Sequence, residues 1–226
     1  MAFTKELRTE LVSLLGEDWV KDDPVTLYTY RCDGLTLYTA PPMGVVFPGN
    51  RNELVEVVKK LHSRKIPFVP RGAGTGLSGG AVPREQSVII EMARFKEIHD
   101  IDWLNRTITV GPGVINLRIS EKVQPDGYHY VPDPSSQKAC TIGGNVAENS
   151  GGPHTLKYGV TVNHVLGLEM VLPDGELVEL GGKTFPIAGP DMLALVIGSE
   201  GTFGIVTKIT CRLTPNPEKA ITLLGV

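Results

Sequence analysis

The stretch Pro70-Arg71-Gly72-Ala73-Gly74-Thr75-Gly76-Leu77-Ser78-Gly79-Gly80 places five glycines within nine residues. Glycine reaches positive φ at little cost, so successive amide N–H groups can turn toward one concave point, and such a nest binds an anion without a lysine. The residues between the glycines are small enough to let a ligand rest on the backbone. The chemistry indicated is recognition of a phosphate or diphosphate by peptide amides, with Arg71 at the mouth, where its charge either assists the anion or faces water; orienting the loop is the reading preferred over clamping a substrate.

Two familiar phosphate loops can be compared with it. Gly74, Gly76 and Gly79 match the G-x-G-x-x-G dinucleotide spacing, which requires a helix directly after the glycines. None is legible, because Gly80-Ala81-Val82-Pro83-Arg84 prolong the loop and Ser87-Val88-Ile89-Ile90-Glu91 reads as a β-branched strand. The Walker loop needs Gly-Lys-Ser/Thr, and lysine is absent from this stretch. A strand-loop-strand nest remains, with a flexible glycine-rich surface turn as the plainer alternative.

A second glycine-dense segment follows Pro132-Asp133-Pro134-Ser135-Ser136. It runs Cys140-Thr141-Ile142-Gly143-Gly144-Asn145-Val146-Ala147-Glu148-Asn149-Ser150-Gly151-Gly152. Its small residues allow backbone to approach a flat ligand, and Thr141, Asn145, Asn149 and Ser150 supply donors and acceptors for ring edges or a polyol chain. The same composition suits two caps around a short helix over 142–148, so both readings stand. A third cluster, Gly198-Ser199-Glu200-Gly201-Thr202-Phe203-Gly204, precedes a strand beginning at Ile205. Each cluster lies at a junction between elements, which suits one extended ligand touched at three places. His154, just past the second cluster, is the candidate for a catalytic base, with a structural role as the alternative. His62, His99, His129 and His164 read as surface or strand-end residues. Lys157 and Tyr158 either frame the ligand or make fold contacts.

Hydrophobic period supplies the elements that position these segments. Leu7, Leu11, Leu14 and Leu15 share a face and predict a packing helix within 1–16, not a signal peptide. Residues 17–43, broken by Asp22-Asp23-Pro24 and Pro41-Pro42, read as irregular. A buried strand at 44–48 leads to a helix capped by Asn50 or Asn52, with Leu54, Val57, Val58 and Leu61 at i, i+3, i+4, i+7. The next strand empties into the glycine loop, and strand, helix and strand at this spacing make a right-handed parallel crossover with the loop at the carboxyl end. Beyond the strand at 87–91, residues 98–102 read as a turn or short helix, 106–110 as a strand and 114–123 as a helix. Residues 165–172 and 176–180 form a hairpin about Pro173-Asp174-Gly175. An apolar helix at 190–197 and a strand at 205–213 follow. The fold class is α+β, with an N-terminal helix and irregular segment (1–43), a first lobe (44–131), a second lobe (132–215) and the start of a further domain (216–226).

At 226 residues, 41% hydrophobic and 21% charged, the chain can bury a substantial core. A net charge of −3 provides no basic field for nucleic acid, and no apolar run is long enough for a transmembrane segment. Cys32, Cys140 and Cys211 are odd in number and lack C-x-x-C spacing, which indicates reduced thiols in a cytoplasmic setting and no metal site.

Taken together, residues 70–80, Asp133-Pro134-Ser135-Ser136, 140–152, Lys157-Tyr158-Gly159 and Ser199-Glu200-Gly201-Thr202-Phe203-Gly204-Ile205-Val206 resemble the FAD-linked oxidases of the vanillyl-alcohol-oxidase type. The resemblance is to the branch holding the glycolate oxidase FAD subunit and the D-lactate and D-2-hydroxyglutarate dehydrogenases. It implies a two-lobed PCMH-type FAD-binding domain, followed in such proteins by a substrate-capping domain of which residues 216–226 would be the start. It implies that Pro70, Arg71, Gly72, Ala73, Gly74, Thr75, Gly76, Ser78 and Gly79 hold the FAD pyrophosphate. Pro132, Asp133, Thr141, Gly143, Gly144, Asn145, Asn149, Ser150 and Gly151 would lie along the flavin and its ribityl chain, and Glu200, Gly201, Gly204 and Ile205 at the adenosine end. Some members tether FAD through a histidine in the first loop; this loop has none, so FAD is expected to be non-covalent. The activity implied is oxidation of a 2-hydroxy acid, glycolate or D-lactate, by hydride transfer to FAD. The implied partners are a second flavin-domain subunit and an iron-sulfur subunit, at a cytoplasmic location peripheral to the inner face of a membrane. The alternatives are a truncated, non-catalytic flavin-binding fragment, and a flavin reductase of another substrate class such as a cell-wall sugar-nucleotide reductase.

Overall fold

The computed structural model describes residues 3–84, 86–183, 189–219 and 221–224. The Thr4 side chain caps α1 (Lys5–Leu15), whose Leu7, Leu11 and Leu15 are buried against the core. The segment expected to be irregular contains three short elements, a 3-10 turn at Glu17–Trp19, β1 (Val20–Lys21) and α2 (Pro24–Thr29), the last capped by Asp23. β1 exists only through pairing with β2 (Gly44–Val46), a contact two residues of sequence cannot announce.

Asn50 caps α3 (Arg51–Ser63) by accepting from the Glu53 amide at 3.0 Å, and Leu54, Val57, Val58 and Leu61 are fully buried, as their spacing predicts. Each such side chain contributes about 1.5–3 kcal/mol by leaving water. Glu10 of α1 joins the two helices by accepting from Lys60 at 3.0 Å and Arg64 at 2.5 Å. β3 (Phe68–Arg71) and β4 (Val88–Glu91) complete a sheet of order β1-β2-β4-β3, in which β2, β4 and β3 are parallel. β4 therefore separates the two strands that α3 connects, and the glycine loop leaves the carboxyl end of β3.

The second sheet is antiparallel, in the order β5-β6-β10-β8-β9, from β5 (Ile98–Asp102), β6 (Thr107–Val110), β8 (Val165–Val171), β9 (Leu177–Gly181) and β10 (Ile205–Arg212). Residues 98–102, expected as a turn or short helix, form its edge strand. Their alternation is obscured because an edge position leaves Ile98, His99 and Asp100 exposed and a register shift interrupts the ladder between Ile98 and Asp100. The second sheet takes its first two strands from before residue 131. β6 pairs with β10, Ile108 opposite Cys211, so its apolar residues join the core of the second sheet. The first core ends along the sequence at Phe95 apart from Val171 and Ile205, which reach into it from the other sheet.

The remaining elements are α4 (Asn116–Val123), β7 (Tyr128–His129), α5 (Ile142–Glu148), α6 (Thr155–Tyr158), α7 (Met192–Val196) and β11 (Thr214–Pro215), with β11 pairing to β7. The hairpin about Pro173-Asp174-Gly175 is β8–β9. Among the described residues of 216–226 there is no helix or strand; residues 220, 225 and 226 lie outside the described ones. No helix among the described residues is long and apolar enough to cross a membrane, and no group of three or more potential metal ligands forms among them.

Candidate functional site

The three glycine clusters meet in one cleft of about 510 Å³ between the sheets. That volume falls in the range of roughly 300–1,000 Å³ typical of small-molecule sites. The first cluster is held open from below and outside. Gly74 and Gly79 adopt positive φ of 66° and 92°, and Gly72 sits so close to the Thr141 hydroxyl that a Cβ would collide with it. From outside, Gly34 lies against the loop, its amide donating to the Gly76 carbonyl at 3.0 Å. The buried Asp33 accepts from the Gly79 amide at 2.9 Å and the Leu35 amide at 3.0 Å.

These contacts sort the loop's donors. Gly79 spends its N–H on Asp33, whereas among the described residues the amides of residues 72–78 meet no acceptor within the chain. A continuous row of half-exposed, unspent peptide donors along a cleft wall has the donor chemistry to hold an anion. Arg71 lies beneath it, buried, with its guanidinium donating to the Ala81 carbonyl at 2.9 Å. Arg71 thus lies buried under the loop and not at an open mouth facing water, and its contact with Ala81 braces the loop.

The second cluster is the short helix α5 with its caps, and it also lines the cleft. Thr141 caps the helix by accepting from the Gly144 amide at 3.3 Å, and Asn149 ends it in the left-handed region at φ 50°. Thr141, Gly143, Gly144, Asn145, Ser150 and Gly151 line the cleft. Two of the expected polar contacts are committed to the fold. Asn145 donates to Asn116 Oδ1 at 2.8 Å, Asn116 donates to the Pro132 carbonyl at 2.8 Å, and the Asn149 side chain accepts from the Val162 amide at 2.9 Å.

The third cluster is tied to α5 by Gly198 and Glu200, whose amides donate to the Val146 and Ala147 carbonyls. Gly201 packs on the ring of Pro70, linking the third cluster to the first. Glu200, Gly201, Gly204 and Ile205 line the cleft, as do Pro70, Arg71, Gly72, Ala73, Gly74, Thr75, Gly76 and Ser78. Gly79, Pro132, Asp133 and Asn149 do not line it. Neither does His154, which is two-thirds exposed on its side chain and pairs its Nδ1 with Asp133 Oδ2 at 2.7 Å beside the rim.

Lining residues that the sequence did not mark as site residues include Met92, Pro112, Glu148, Val196 and Val206. Met92 and Pro112 follow strand ends with no local signal. Glu148 was legible only as the end of a helix. Burial raises its pKa first, and Glu200 and Asp33 add to the effect against a hydrogen bond from Ser78. Burial likewise raises the Cys140 thiol.

Residues 42–181 match the family described as FAD binding domain. The chain belongs to that family. This FAD-binding chain is 50% identical over 196 residues to the glycolate oxidase subunit GlcD of Escherichia coli (strain K12), covering 87% of this chain and 39% of that protein. It is 41% identical over 224 residues to the glycolate oxidase subunit GlcD of Bacillus subtilis (strain 168), covering 99% and 48%. The D-lactate dehydrogenase of Archaeoglobus fulgidus is 39% identical over 202 residues, with 87% and 45% covered. The chain therefore spans less than half the length of these relatives. Among solved structures, alkyldihydroxyacetonephosphate synthase superposes with a TM-score of 0.85 at 24% identity, over 96% of this chain and 41% of that one, which establishes the shared fold. The ligand named for this family is FAD.

Proposed function

We propose that this chain is the FAD-holding part of an oxidoreductase that oxidises a small 2-hydroxy acid of the glycolate or D-lactate type. The observation that carries the proposal is the row of uncommitted amides at residues 72–78, set in a cleft of about 510 Å³ shared with the other two glycine clusters. The residues present fit the group. The amides offer uncommitted donors to a diphosphate, the cleft-lining residues of the segment from Thr141 to Gly151 include small ones that leave room for an isoalloxazine ring, and Glu200 with its glycine neighbours suits a ribose and adenine. When bound, FAD supplies the acceptor for a hydride from the α-carbon of the acid.

The chain's own part is to bind and orient. The loop amides neutralise the diphosphate without side-chain rearrangement, Thr141 and Gly72 fix the distance between the loop and α5, and Asp33 holds the loop's far end. No histidine lies in the loop, so the attachment is non-covalent. Among the described residues the Asp133–His154 pair is the histidine-carboxylate pair near the second cluster, and its exposure and absence from the cleft lining favour a structural role. The relatives named as glycolate oxidase subunits support assembly with further subunits, for which a second flavin-domain subunit and an iron-sulfur subunit are proposed, at the inner face of a membrane.

The test begins with the purified chain. It should take up added FAD with a yellow flavin spectrum and release all of it on denaturation. The protein extended by the segment that follows in its relatives should reduce an electron-accepting dye with glycolate or D-lactate. A chain that takes up no FAD refutes the reading of the cleft, and an FAD-loaded extended protein inert to every 2-hydroxy acid refutes the substrate class.

A further inference from the structure

Beneath the glycine loop lies a charged pair that amide recognition of the diphosphate leaves unexplained. Arg71 and Glu91 are opposite one another in the parallel β3–β4 ladder, so their side chains leave the sheet on the same face. Both are nearly inaccessible, at 8% and 5% exposure. The Arg71 guanidinium is fixed under the loop by the Ala81 carbonyl at 2.9 Å, with Cζ 5.3 Å from the centre of the Tyr30 ring. It occupies the space that a side chain at position 74 would need. Arg71 and Glu91 do not form a direct ion pair, and Glu91 stands behind Arg71, one residue before the cleft-lining Met92.

Burial pushes the Glu91 carboxyl up to about 7, against the opposing pull of Arg71 and of the backbone amides of Ala93 and Met92. The titratable and charged groups facing it are Arg71 from β3 and Tyr30 from the end of α2. Burial and Glu91 raise Tyr30 from its ordinary value, with Arg71 opposing, so Tyr30 stays neutral near pH 7 and adds no charge. The floor of the loop thus carries no net charge when Glu91 is ionised and one positive charge when it is protonated.

We propose that Glu91 is a positioning residue that acts through Arg71, so that seating of the FAD diphosphate on the loop above draws one proton from solvent onto the Glu91 carboxylate. The inference rests on the FAD reading of the cleft. A diphosphate brings two negative charges and excludes water, and both disfavour an ionised carboxylate behind the guanidinium. Formation of the Glu91 O–H bond removes the competing anion and leaves the Arg71 charge to the ligand. By linkage, FAD affinity is constant while Glu91 is protonated in both states. It falls as pH rises above the carboxyl's value in the free protein, by up to about tenfold per pH unit, and levels off above its value in the complex.

The experiment is calorimetric titration of the flavin-free protein with FAD at several values between about pH 6 and pH 8.5. Each is run in two buffers of different ionisation enthalpy, for the wild type and for Glu91→Gln. The expected wild-type result is affinity falling several-fold or more across the range, with a fraction of a proton approaching one taken up per FAD near pH 8. Glu91→Gln should bind with the wild type's low-pH affinity throughout and take up none. A flat wild-type profile without proton uptake, or a slope that survives in Glu91→Gln, overturns the proposal while leaving the FAD reading intact. Failure of the wild type to bind FAD at any pH overturns both. Should Glu91→Gln not fold by circular dichroism, the buffer-dependent proton count of the wild type decides alone.

Discussion

Replacing Gly74 with valine tests the site at a loop position that has both a positive φ and a filled space where a Cβ would go. Gly74 sits at φ 66°, and a Cβ there would lie 2.7 Å from Arg71 Cζ, inside the guanidinium's own space. Holding a β-branched residue in the left-handed region costs about 1–2 kcal/mol. Moving Arg71 off the Ala81 carbonyl forfeits a charged hydrogen bond worth about 1.5–3 kcal/mol. If roughly 3 kcal/mol of this falls on the ligand-bearing conformation, FAD affinity drops about 100-fold. Gly79→Val is the control: Gly79 also has positive φ, at 92°, but a Cβ there meets nothing within 4 Å and the residue does not line the cleft. It should lower thermal stability by a comparable backbone cost while weakening FAD by less than about tenfold. The assay is FAD titration of each flavin-free variant by flavin fluorescence, with thermal unfolding alongside. Unchanged affinity in Gly74→Val, or equal losses in the two variants, would move the diphosphate away from this loop.

Three further outcomes follow from the same structure. Asp33→Ala strands the Gly79 and Leu35 amides it now accepts from at 2.9 and 3.0 Å, a loss of about 1–3 kcal/mol that should appear as faster proteolysis within residues 72–80 and about tenfold weaker FAD binding. Without FAD, Glu91 should make the fold lose stability as pH rises from 4.5 toward 7, because its folded carboxyl lies at about 7, above the ordinary 4.5. That displacement is worth about 3 kcal/mol, is fully present below 4.5 as stability and is gone above 7. Urea unfolding of Glu91→Gln should match the wild type at low pH and exceed it by up to that amount near pH 8. Ile209→Ala, at a fully buried position in the second core, should cost about 2–5 kcal/mol in the same assay, and a loss under 1 kcal/mol would mean that the β6–β10 seam is not where the second core is packed.

What the chain's own residues determine is local. Five glycines between Arg71 and Ala81 commit that stretch to a loop whose amides can face a ligand, whatever surrounds it, because only glycine reaches positive φ cheaply. Leu54, Val57, Val58 and Leu61 commit α3 to bury one face, since a 3.6-residue period admits no other arrangement. Pro173-Asp174-Gly175 commits the chain to reverse between β8 and β9. The two-residue strand β1 and the pairing of Ile108 with Cys211 depend on partners tens to a hundred residues distant, and no local pattern encodes a partner; the edge strand at 98–102 pairs with nearby β6, but its exposed residues and register shift leave no alternation to read. For the same reason only the tertiary structure decided which amides are free. The Gly79 N–H looks like its neighbours in sequence, and Asn145 and Asn149 look like ligand contacts. Asp33, Asn116 and Val162 claim them, because a buried polar group must find a partner and folding supplies one from wherever the chain returns. Glu91 likewise reads as the last residue of a strand, and burial beside Arg71 makes it a group that titrates near neutrality.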